Sequence, residues 1–207
     1  MEFKAGDIIA FWGGDLPGRA ISLMTSSILP PWSLSWAPSH VGLAMTAGQN
    51  SSSARMLIES TNFSKHPCRL TNRLTKGLQA QGLSERVRDY ETSGGSWRAF
   101  RLTWGNELDE VEVDYLRGIC RAAIYRGVGY DWTGAGLSGT RLLQLTRLFP
   151  TPSAQTLFCS EFIAYALQSL CRMNRANPTR YNPGRLLREL VSTGVYEEIS
   201  TEEKTFE

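Results

Sequence analysis

The 207-residue sequence predicts an α+β fold. Three observations lead there. Stretches with strand-like character fall at residues 3–12, 39–45, 56–60 and 97–104, and stretches with helical spacing at 107–125, 159–171 and 183–190. The two kinds do not alternate as β–α–β units, so the strands are expected to form an antiparallel sheet, open or closed into a small barrel, packed against helices. Composition is that of an ordinary globular chain, with 42% hydrophobic and 20% charged residues.

In chain order, residues 3–12 form a strand that opens after Gly6-Asp7. Residues 19–28 carry Ile21, Met24 and Ile28 on one side of a helix, which Pro30-Pro31 stops. An aromatic-rich loop with Trp32, Leu34 and Trp36 leads into the strand 39–45, and a polar turn separates that strand from 56–60. Residues 62–95 show no clear period; 77–85 is polar and reads as loop or short helix. The helix 107–125 has Glu107, Asp109 and Glu110 near its N-terminus, where the helix dipole favours negative charge. Its buried face is expected to carry Leu108, Val111, Tyr115, Ile119 and Ala122. Residues 127–139 are glycine-rich and turn-like, 140–148 suits a short helix, Pro183 opens the helix 183–190, and 195–199 suits a last edge strand.

Several function classes lose their footing here. Lys and Arg total 22 against 20 Asp and Glu. A net +2 offers no concentrated basic face for nucleic acid. Arg69, Arg73, Arg86, Arg88, Arg98 and Arg101 are scattered and read as solvated surface. No apolar run is long enough for a transmembrane segment, and residues 1–15 lack the uninterrupted core of a secretory signal. Synthesis in the cytoplasm without a cleavable signal is therefore expected. Delivery to a periplasm by a specialised secretion system stays compatible with that. The four cysteines form no C-x-x-C pair and read as free thiols. Cys120 and Cys171 suit small buried hydrophobes. Cys68 with His66 offers only two metal ligands. Neither a metal nor an organic cofactor is indicated.

Three residues carry the chemistry. His40 lies on a strand whose alternation puts Val41, Leu43 and Met45 on one face and His40, Gly42 and Ala44 on the other. Small neighbours leave room for another group to approach the imidazole. If residues 56–60 pair with this strand so that Val41 meets Ile58 and Leu43 meets Met56, His40 stands opposite Glu59. A carboxylate there would fix the imidazole tautomer and stabilise its charged form. Cys159 opens a helix striped by Phe162, Ile163, Ala166, Leu167 and Leu170. Free N–H groups at a helix start favour a thiolate and could hold an oxyanion.

The segments Gly6-Asp7-Ile8-Ile9, Ser39-His40-Val41-Gly42, Leu57-Ile58-Glu59-Ser60, Tyr130-Asp131 and Cys159-Ser160-Glu161-Phe162, in that order, resemble the circularly permuted branch of the NlpC-type papain-like cysteine hydrolases. That branch includes YiiX-like and YebB-like proteins. The resemblance to lecithin:retinol acyltransferase is more distant. The branch places the His and its polar partner before the Cys helix, the order found here.

The resemblance implies a single permuted papain-like hydrolase domain over residues 1–207. It implies Cys159 as nucleophile, His40 as general base and acid, Glu59 as the orienting residue, and Tyr130 as a candidate oxyanion or substrate donor. Glu161 reads as a structural carboxylate. The implied activity is amide hydrolysis through a Cys159 thioester, with peptidoglycan stem peptides as the first substrate class. An antibacterial effector paired with an immunity protein is one setting for it. The alternatives are a thioesterase or acyltransferase on lipid-like substrates, prompted by Trp32, Leu34 and Trp36, and a non-catalytic binding module.

Overall fold

The computed structural model describes residues 2–26, 36–46, 48, 54–62, 65–129 and 158–199. Along the chain come β1 (Ile8–Trp12), α1 (Leu16–Thr25), β2 (His40–Thr46), β3 (Ala54–Thr61), β4 (Gly77–Gly82), α2 (Leu83–Thr92), β5 (Ser96–Leu102), α3 (Glu110–Tyr125), α4 (Cys159–Ser169), α5 (Pro183–Ser192) and β6 (Tyr196–Glu198). The strands make one antiparallel sheet in the order β4-β3-β2-β1-β5-β6. It is open, with β4 and β6 at its edges, so the barrel alternative is not realised.

Strand alternation divides the core into two layers. Ile8, Ala10, Val41, Leu43, Met45 and Ile58 face Leu116 of α3, Phe162 and Ile163 of α4 and Leu186 of α5. Ile9, Phe11, Ala44 and Leu57 face Leu83 and Val87 of α2. The division predicted for residues 40–45 is the one observed. At Gly42 an added Cβ would stand 2.7 Å from Leu57 Cγ. Gly42→Ala is expected to lower stability by about 1–3 kcal/mol through overpacking. Urea denaturation would read this, and an unchanged midpoint would show that the β2–β3 pair yields freely.

Two elements depart from the sequence reading. Residues 77–82 form a strand although they look polar. Gln79 and Gln81 are both fully buried. Gln81 Nε2 donates to His66 O at 3.1 Å and to Gln79 Oε1 at 2.9 Å, so burial leaves this amide nitrogen satisfied. In α3 the expected face is only partly buried: Leu108 and Ile119 pack at the edge of the core, while Val111 is 77% and Tyr115 55% exposed. The face that packs carries Leu116, Cys120 and Ile124. The two stripes are offset by one residue, about 100° of helix rotation. Bulk favoured the wrong one, because the true stripe includes a small Cys and the polar, buried Arg117.

Candidate active site

The site forms where β2 begins. Observed β2–β3 pairing sets Leu43 opposite Ile58 and Met45 opposite Met56, two residues away from the expected register. A shift of two keeps every side chain on its face, because the strand period is two. Glu59 therefore stays on the His40 face but lies diagonally from it instead of directly across. Long side chains span that diagonal. His40 Nε2 meets Glu59 Oε2 at 2.7 Å, with both residues buried. Phe11, opposite His40 on β1, lies beside the ring at 6.1 Å between centroids.

Glu59 has a second partner that the sequence reading missed. Arg86 of α2 donates from Nε to Glu59 Oε1 at 2.7 Å and from Nη2 to Oε2 at 3.2 Å. It is 5% exposed, not the solvated arginine expected. Arg101 is also no free surface charge: it binds both oxygens of the buried Asp7, at 3.1 and 2.8 Å. The signal available for Arg86 was weak. In LSERVRDYET, Leu83, Arg86, Val87 and Tyr90 fall on one helical face, but the segment lacks enough apolar residues to announce a helix.

Cys159 is the first residue of α4, which packs on the opposite layer from α2. His40, at the strand end, is where the two layers meet. Its imidazole holds Glu59 through Nε2, and the Cys159 side chain lies near enough for its charge to act on the ring. Because Nε2 is committed to Glu59, Nδ1 is the nitrogen left for the sulfur. The helix start is built firmly. Glu161 accepts from the Phe158 backbone N–H at 3.1 Å, and Ser160 donates to Tyr181 O at 2.6 Å. Glu161 thus has the structural place expected for it. The N–H groups of the first helical turn have no carbonyl four residues back to bond, so this end of α4 favours an anion.

Burial pushes the His40 imidazolium down. The charge and hydrogen bond of the Cys159 sulfur, joined by those of Glu59, outweigh it and raise His40 to about 9. Burial pushes Glu59 up, but the Arg86 charge and the His40 contact hold it down at about 2. The linkage signs follow. Glu59 contributes stability fully above its ordinary 4.5 and loses it as pH falls through about 2. His40 contributes fully below its ordinary 6.5 and loses it as pH rises through about 9. Denaturation midpoints should therefore decline between pH 6.5 and about 9 in the parent protein and decline less in His40→Ala. Parallel curves would remove the ion pair from the account.

Of the residues singled out from sequence, His40, Glu59 and Cys159 come together. Tyr130, Trp32 and Leu34 lie outside the described residues, as do most of 127–139 and all of 140–148. Cys120 is buried as expected. Cys171 is exposed, a correction: α4 ends before it, and it takes φ 56°, the left-handed turn past a helix end. Among the described residues no group of three or more His, Cys, Asp or Glu side chains is arranged to hold a metal ion. Among them, too, no helix is long and apolar enough to cross a membrane.

Compared by sequence, the chain matches no protein-family model and no curated protein. Among solved structures it is similar to the metalloprotein YiiX from Escherichia coli O157:H7. The TM-score is 0.51 and the identity 16%, over 96% of this chain and 89% of that one. The fold is thus the YiiX-like, papain-like α+β fold. At that identity the likeness extends to the fold alone.

Proposed function

We propose that this chain is a cysteine hydrolase of the circularly permuted NlpC-type branch, opening an amide bond through a thioester on Cys159. The observation that carries the reading is Cys159 at the start of α4 beside His40, whose Nε2 is bonded to the buried Glu59. A thiol at a helix start, an imidazole beside it and a carboxylate on the far ring nitrogen are the parts of an activated nucleophile. In the first half-reaction the Cys159 sulfur adds to the carbonyl carbon, and the oxyanion faces the N–H groups of the first turn. His40 gives its proton to the leaving amine as the C–N bond breaks, leaving a thioester. In the second, His40 takes a proton from water, the hydroxyl adds to the thioester, and the C–S bond breaks to return the thiolate and release the acid.

YiiX is described as a metalloprotein. Here both Glu59 oxygens are already bonded, to Arg86 and His40, and a guanidinium is packed against them. These residues do not fit a metal-ion site, and no step above runs through one.

Peptidoglycan stem peptides are the first substrates to try, with mass spectrometry following release of a new amine and acid. Cleavage by the parent protein and none by Cys159→Ala is the expected result. An effector role adds the expectation that periplasm-directed expression is toxic unless an immunity protein is co-expressed; harmless expression of active protein would remove that role. One further observation favours a lipid-like acyl substrate. Trp36 is 64% exposed, and Leu16 and Leu23 of α1 are exposed as well. Turnover of acyl thioesters without peptide cleavage, and vesicle binding lost in Trp36→Ala, would select the thioesterase or acyltransferase reading.

A further inference from the structure

We propose that Arg86 is a positioning residue for His40 that acts through Glu59: it fixes the carboxylate's orientation and cancels its charge, so that Glu59 aligns the imidazole without leaving the buried site net negative. The inference rests on the Cys159–His40 pair proposed above.

The guanidinium is held from several directions. Nε and Nη2 grip the two Glu59 oxygens, Nη1 donates to Asp89 Oδ2 at 3.4 Å, and Cζ lies over the Tyr90 ring at 5.2 Å. Tyr90 stacks on Phe11 with centroids 4.3 Å apart, and Phe11 in turn neighbours His40. The fork and the imidazole are therefore indexed to the same aromatic wall. Glu59 can turn only by breaking bonds to both.

The charge count is the second argument. A thiolate on Cys159, an imidazolium on His40, a carboxylate on Glu59 and the guanidinium on Arg86 sum to zero. Remove Arg86 and the same set carries one net negative charge in a buried place, where such charge is costly. The other charged groups facing this set are at its margin. Asp89 is partly exposed and shared with His66 at 3.2 Å, and Asp15 is an exposed acid whose charge reaches Tyr90. Neither replaces a buried cation.

The test is the pH profile of Cys159 carboxymethylation by iodoacetate, located by mass spectrometry. Iodoacetate is an anion, so its rate rises as the thiolate forms and falls as the imidazolium is lost. Losing a cation raises the pKa of every neighbouring acid. Both limbs of the bell should therefore move up by about one pH unit in Arg86→Gln. Arg86→Lys keeps the charge but loses the fork; its limbs should stay in place while the maximum rate falls. In Glu59→Gln/Arg86→Gln both charges are gone, and the limbs should return toward the parent positions. If Arg86→Gln alone does not fold, the step from Glu59→Gln to the double variant measures the same charge and must move both limbs up. A parental bell whose limbs stay fixed on losing Arg86 overturns this assignment only. A parental Cys159 that labels like a free thiol, whether or not His40 is present, overturns the Cys159–His40 reading, and this one with it.

Discussion

At pH 6, iodoacetamide is expected to label Cys159 before any other cysteine, and His40→Ala to slow that labelling by at least about 100-fold. Exposure alone predicts the opposite order. Cys171 is the exposed thiol, whereas Cys68, Cys120 and Cys159 are buried, the last at 4%. The thiolate and not the thiol is the nucleophile, so access alone does not set the rate. A thiolate paired with an imidazolium reacts at once. Tryptic mapping after a short, substoichiometric treatment separates the two cases. First labelling at Cys171 would mean that His40 does not activate the Cys159 sulfur, and a non-catalytic binding module would become the better account of the same fold.

Glu59→Ala is expected to be among the most destabilising single changes outside the apolar core, costing about 3–5 kcal/mol. Deleting the carboxylate strands Arg86, whose side chain is 6% exposed, without its bidentate partner. A control comes from the same helix. Glu85 pairs with Arg69 where both side chains are about half exposed, at 44% and 51%. Glu85→Ala should cost less than about 1 kcal/mol, because solvent screens an exposed pair. Urea denaturation of both variants at pH 7 gives the comparison. Equal losses would mean that water reaches Arg86 and that the buried ion pair described above is not closed.

What could be read in the sequence follows from which interactions leave a periodic trace. The β2 alternation put His40 on the correct face, and the apolar stripe after Cys159 gave α4 and its starting residue. The β2–β3 register came out two residues off because matching one apolar residue to another works equally well in either alignment; only the face was determined. Arg86 left no trace because its value lies in a partner far away in the chain, with Glu59 reached by a side chain and not by spacing. Buried Gln79 and Gln81 hid β4 for the same reason: their hydrogen-bond partners make a polar strand acceptable inside, and those partners are not visible in a local window. In α3 two stripes competed, and only packing against the sheet chose between them.

The order of the site residues along the chain has a consequence for synthesis. Translation extends a chain N-terminus first at about 5–20 residues per second. His40, Glu59 and Arg86, with the five strands that hold them in register, emerge well before Cys159. The imidazole, carboxylate and guanidinium can thus find one another on the ribosome before the proposed nucleophile has been made. The pairing of His40 with Cys159 closes a very long loop, the kind of contact that forms late. A nascent or prematurely terminated chain would carry the polar half of the site and none of its reactivity. The reactive pair would arise only when α4 docks onto a sheet that is already built.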